Sequence, residues 1–226
     1  MLDLVSGIQA AIIGQCIVII LFILSATPEL SRSDKALIAL LVVISCHMGI
    51  NILLIVTSAH LLSALSIGLS LSYGPLIYRY VLACLYKNDQ SRIHFRLHFL
   101  LPVLLFTAHL LLGVSTLLAA CFTFLTMAMY LTASLKMYNK YRAAIALTQS
   151  LQNSIAMKGI KLVLVLNLVI LLVNIFAVTV SVISNNQAIA SLVNIVLFLV
   201  LSSSILPTVF TSTFSALAFT IRFNSS

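Results

Sequence analysis

Long stretches of this sequence carry no formal charge. None lies between Asp3 and Glu29, between Lys35 and Arg79, between Arg96 and Lys136, or between Lys161 and Arg222. A helix needs about 20 apolar residues to cross a hydrocarbon core about 30 Å thick. The first run therefore supplies one crossing, and each of the other three is long enough for two. The apolar residues are continuous and not alternating, which specifies helices over barrel strands. Charged residues make up only 7% of the chain, against about 25% in a soluble domain. Such a chain cannot coat a water-exposed surface, which argues against a soluble enzyme or a free DNA-binding module.

Polar breaks divide the double-length runs at Thr57-Ser58-Ala59-His60, at Gly113 to Thr116 and at Ser184-Asn185-Asn186-Gln187. The expected architecture is all-α: a polytopic membrane bundle of seven helices forming one domain over 1–226. Its spans fall at about 4–26, 36–57, 61–85, 97–113, 116–135, 161–183 and 188–209. Basic residues orient it, because Lys and Arg of short loops stay on the cytoplasmic side. Arg32 and Lys35 lie in the first connector, Lys87, Arg92 and Arg96 in the third, and Lys136, Lys140, Arg142, Lys158 and Lys161 in the fifth. Arg222 lies in the C-terminal tail, and the second, fourth and sixth connectors carry no basic residue. The expectation is N-out and C-in, with the net charge of +8 reporting topology and not nucleic-acid binding. The first span lacks a basic n-region and exceeds the length of a signal-peptide core, so it reads as an uncleaved helix.

Chemistry inside the spans is sparse. No Asp or Glu falls within a span, which weakens the case for an ion- or proton-coupled transporter. There is no His-Glu-x-x-His zinc motif and no Lys in span seven to hold a retinal. Four cysteines, Cys16, Cys46, Cys84 and Cys121, all sit in spans and read as small buried side chains. The expectation is a non-enzymatic protein with no cofactor.

The remaining polar residues are the candidate site. His47 in span two and His109 in span four lie at matched depth, about 17 Å from the cytoplasmic ends. They read as a haem-ligating pair, a polar pocket, or two separate interhelical hydrogen bonds. Asn167 and Asn174 are seven residues apart on one face of span six, where Asn51 and Asn194 could join them. Asparagines in a bundle serve as interhelical glue or as a ligand pocket. In span three, Gly74 and Pro75 form an expected hinge, since proline removes an N–H and clashes with the preceding turn. Arg79, near the inner headgroups, either snorkels to phosphate or locks helix ends as part of a switch.

The stretch Gly74-Pro75-Leu76-Ile77-Tyr78-Arg79-Tyr80-Val81, followed by His98-Phe99-Leu100-Leu101-Pro102, resembles two stretches in bacterial AraC-type transcriptional regulators whose N-terminal half is a seven-helix membrane sensor. Pro102 stands one residue later than in that pattern, and the absence of Trp is a second departure. In that family helix-turn-helix units follow span seven, and these 226 residues are expected to be a truncated member, a stand-alone sensor or the membrane portion of a longer product. The resemblance therefore implies a sensor half, with no direct nucleic-acid contact.

The functional expectation is a multi-pass sensor of the bacterial inner membrane, responding to a small apolar or amphipathic ligand. A small transporter or channel subunit is the competing class, and a short seven-helix receptor of another family the third. Membrane lipid is the expected partner. The fifth connector, 136–161, is expected to form an amphipathic cytoplasmic helix, with Tyr141, Ile145, Leu151 and Ile155 near one stripe. That helix would lie on the inner leaflet or dock a protein partner or a second copy.

Overall fold

The computed structural model describes residues 2–26, 29–57, 59–86, 97–145 and 151–184. Among them are six helices: α1 (Leu2–Ala26), α2 (Arg32–Thr57), α3 (His60–Leu85), α4 (Leu100–Leu112), α5 (Thr116–Ile145) and α6 (Leu151–Ser184). Five of these, all but α4, are long and apolar enough to cross a membrane. The chain is a multi-pass, all-helical membrane protein. Expected span 188–209, Asn194 within it, and the third connector lie outside the described residues.

Local chemistry sets the helix ends. Ser31 caps α2: its Oγ accepts from the Asp34 N–H at 3.2 Å, and Asp34 Oδ2 accepts from the Ser31 N–H at 2.9 Å. This reciprocal box satisfies two donors that a helix start leaves open. It begins α2 at Arg32, one turn earlier than the expected span at 36, because the charged first turn stands outside the apolar run. Gly113 ends α4 in the left-handed region (φ 63°), and its N–H bonds the His109 carbonyl at 3.1 Å. Two residues on, Ser115 Oγ accepts from the Leu118 N–H and starts α5. The expected turn at Gly113–Thr116 is thus a glycine cap joined to a serine cap. With 13 residues, α4 is about 20 Å long, shorter than the expected span 97–113.

The fifth connector differs from expectation. Instead of one separate helix over 136–161, α5 runs on to Ile145 and α6 has already begun at Leu151. The expected stripe of Tyr141, Ile145, Leu151 and Ile155 is therefore divided between two helices. Nothing in Lys136–Ala144 breaks a helix, and its Lys, Met, Arg and Ala residues all favour one. The apolar run marks where the hydrocarbon ends, not where the helix ends. On this extension Tyr141 meets Tyr86 edge to face, with ring centroids 5.8 Å apart.

Helix α3 is the axis of the bundle, packed against α2, α4, α5 and α6, while α1 lies on α2 and α6 on α5. Residues Leu71 through Ile77 are buried without interruption, which requires neighbours on every side of the helix. Small residues make this possible. A Cβ on Gly68 would stand 3.3 Å from Phe106 Cβ of α4, and one on Gly74 would stand 2.8 Å from Tyr130 Cδ2 of α5. By contrast α1 turns Val18 and Leu21, each about 60% exposed, outward, as lipid-facing side chains do.

Candidate functional site

A cavity of about 460 Å³ opens among α1, α2, α3, α5 and α6. It occupies the half of the bundle that holds the N-terminus: Gln9 lies near the start of α1, Asn51 near the end of α2, Ser66 near the start of α3 and Thr116 at the start of α5. Ile55 and Thr116 are exposed at its margin. Its walls are mostly apolar, with Ile44, Met48, Ile67, Phe124, Met127 and Leu171 prominent. Among the described residues, no Asp, Glu, Lys or Arg lines it.

One wall carries a continuous polar chain. His47 Nδ1 lies 2.6 Å from the Tyr73 hydroxyl, and His47 Nε2 lies 2.9 Å from Ser66 Oγ. Ser66 Oγ donates to Asn51 Oδ1 at 3.0 Å. Because the serine proton is committed to Asn51, Ser66 accepts from His47 Nε2–H. Nδ1 of the neutral ring is then the acceptor, and Tyr73 donates to it. The network assigns the imidazole tautomer: each hydroxyl and ring N–H in the chain gives one proton in a single direction. The chain ties α2 to α3 from near the bundle's middle toward its N-terminal end.

Two amide oxygens, on α1 and α6, lack a partner among the described residues. Gln9, on α1, is 3% exposed and Asn174, on α6, is 9% exposed. Gln9 Oε1 and Asn174 Oδ1 are both buried with no hydrogen-bond partner among the described residues. A buried acceptor left empty is unfavourable by about 1–3 kcal/mol, and these two oxygens are screened from the cavity although their residues line it. Asn167 is different: its Nδ2 donates to the Val163 carbonyl of its own helix at 2.7 Å.

His47, Asn51, Asn167 and Asn174 therefore converge on one cavity. His109 does not join them. Its Nε2 lies 3.2 Å from Ser63 Oγ, its Nδ1 2.6 Å from the Val114 carbonyl, and its ring stacks on His60 at 5.1 Å. It fastens the α4–α5 turn to the start of α3. Depth along a helix was the same for the two histidines, but each faces different neighbours. Arg79 is exposed on α3 and lines no part of the cavity.

Gly74 is a close-packing residue, and α3 continues helically through Pro75. Around Gly74 the two quoted sequence stretches meet. Tyr78 of the first and His98 of the second lie against Tyr130, at ring centroids of 5.9 and 5.4 Å, and His98 Nδ1 is 2.6 Å from the Tyr130 hydroxyl. Thus Tyr73 faces the cavity while its neighbour Gly74 rests on this aromatic cluster.

Gln9, Ser66 and Tyr73 were not among the candidates from sequence. Gln9 had an available signal, since an amide inside an apolar span is itself a functional hint. Ser66 and Tyr73 had none, because serine and tyrosine are common in spans and only their joint approach to His47 distinguishes them.

The fold and this cavity define a multi-pass helical membrane protein with a partly open, largely apolar cavity. Comparison with family models, curated proteins and solved structures finds no match.

Proposed function

We propose that this protein is a non-enzymatic sensor of the bacterial inner membrane that takes a small amphipathic ligand into the cavity. The observation that carries the reading is the pairing of apolar walls with the polar chain of Tyr73, His47, Ser66 and Asn51 along one side of the cavity, the pattern of a preformed small-molecule site. In this reading the bundle has seven spans, N-out and C-in, so the cavity lies in the outer half. Ligand displaces Tyr73 or tightens its bond to His47, and α3 shifts against Tyr130 at Gly74. Two packings of the α3–α5 contact then present two arrangements of the inner helix ends. The resemblance to the membrane half of AraC-type regulators supports a signalling role, with Arg79 and the α5–α6 extension carrying the output to lipid, a protein partner or a second copy.

Filling the cavity from within tests this. Ala120→Phe and Ser70→Phe place a ring where ligand would sit. In lipid discs, spin labels at positions 79 and 136 should change their separation in both variants relative to the parent. Unchanged separation in both, together with flux of small amphiphiles across proteoliposomes, would favour the transporter class instead.

A further inference from the structure

We infer that Asn51 holds the head group of the cavity's ligand, and that this head group is an uncharged hydrogen-bond acceptor such as a ketone or ester carbonyl. The inference rests on the cavity being a ligand site and adds the residue that selects the ligand and the chemical class it takes.

Most protons on the walls are already committed. Tyr73, His47 and Ser66 pass theirs along the chain that ends at Asn51 Oδ1. Ser70 and Thr123 give theirs to the Ile67 and Ala119 carbonyls of their own helices, at 2.8 and 2.9 Å. Asn51 is half-buried and lines the cavity, and among the described residues nothing accepts from its Nδ2. Ser66 holds its oxygen, which fixes the plane of the amide. Gln9 and Asn174 line the same cavity with their oxygens screened, so the amide nitrogen is what each presents to it. A hydroxyl oxygen with one bond tolerates a spare lone pair, whereas a buried N–H without an acceptor is rare. A head group therefore gains most by accepting. Carboxylates accept too, but among the described residues no Lys or Arg lines the cavity, and none occurs in the sequence between Lys161 and Arg222. Without a counter-ion a buried charge is strongly unfavourable. Asn51 also stands at the right end, seven residues beyond Ile44 on α2 and so about 10 Å nearer the margin at Ile55. A carbonyl held there leaves the apolar chain of the ligand against Ile44, Met127 and Leu171.

The test uses the full chain in lipid discs and three photoreactive probes that share a dodecyl chain with a mid-chain diazirine. One is a methyl ketone, one the alkene in which a methylene replaces the carbonyl oxygen, and one a carboxylate. Labelled residues are mapped by peptide mass spectrometry. The ketone should label cavity residues such as Met48 and Met127. Labelling by the alkene should be about three- to tenfold lower, the worth of one hydrogen bond, and labelling by the carboxylate lower still. Asn51→Leu should bring the ketone down to the level of the alkene and leave the alkene's labelling as it was, a control that a collapsed cavity would fail. Gln9→Leu and Asn174→Leu should each lower the ratio of ketone to alkene as well. An unchanged ratio in Asn51→Leu overturns the assignment of Asn51. Equal labelling of the parent by ketone and alkene overturns the acceptor head group and leaves the sensor reading standing. Labelling by the carboxylate at the ketone's level overturns the uncharged head group. Absence of cavity labelling by all three probes overturns the sensor reading too.

Discussion

Tyr73 shows how much one side chain settles. Its hydroxyl donates to His47, which frees Nε2–H for Ser66 and orders a polar chain between α2 and α3. Tyr73→Phe removes that donor and leaves a buried ring nitrogen without it. Interhelical hydrogen bonds in membranes average about 0.6 kcal/mol and reach about 1.7 kcal/mol. The expected loss is near the upper value, read from thermal unfolding in lipid discs. Ser66→Ala acts on the same chain, so the double variant should lose less than the two single losses added together. Gly74 makes the opposite point, since its contribution is the absence of an atom. Gly74→Ala sets a Cβ 2.8 Å from the Tyr130 ring, and overpacking of this kind destabilises by about 1–3 kcal/mol. Tyr130→Leu should recover part of that loss in the same unfolding measurement. A flexible-hinge role alone would show no such recovery.

Helix ends, in this chain, are matters of capping rather than of hydropathy. The α4–α5 turn is held by Gly113 at positive φ and by Ser115 on the following helix. Gly113→Ala should cost about 1 kcal/mol, because a Cβ is strained in that region, while Gly113→Asn should cost less. Differential thermal melts of the two variants check the order. Along α5 the helix outruns its apolar run by about ten residues, as the difference between the expected end at 135 and the observed Ile145 shows. The extension projects Lys136, Lys140 and Arg142 beyond the hydrophobic stretch, near an inner leaflet in the proposed orientation. Charge reversal at Lys140 and Arg142 should weaken co-sedimentation of a peptide covering 132–146 with anionic vesicles, since each basic residue near such a surface contributes about 1 kcal/mol.

The described residues form a bundle around α3 with a cavity toward the end that holds the N-terminus and an aromatic cluster of Tyr78, His98 and Tyr130 on its other side. Orientation across the membrane decides which side can load the cavity. Reporter fusions after Gln90, Asn153 and Ser226 should report cytoplasm, and fusions near Ser58 and Asn185 should report the outside. An exchange between the two sets would overturn the proposed topology and place the cavity toward the cytoplasm.

Several features were legible in the residues alone. The uncharged runs specified membrane helices, and the breaks at Thr57–His60 and Gly113–Thr116 fall where the structure turns. Depth was legible as well, because a helix advances about 1.5 Å per residue whatever surrounds it. Which way a residue faces was not. In a soluble helix an apolar stripe points to the core, but these spans are apolar on every side, and lipid and protein interior reward the same side chains. His47 and His109 were therefore equivalent on paper, yet packing sends one to the cavity and the other to Ser63 and Val114. Asn167 and Asn174 share a helix face, yet Asn167 Nδ2 bonds the Val163 carbonyl of its own helix while Asn174 Oδ1 has no partner among the described residues. The meeting of Gln9 with Asn174 around one cavity belongs to the tertiary structure, since it depends on α1 and α6 facing a common space from opposite ends of the described chain.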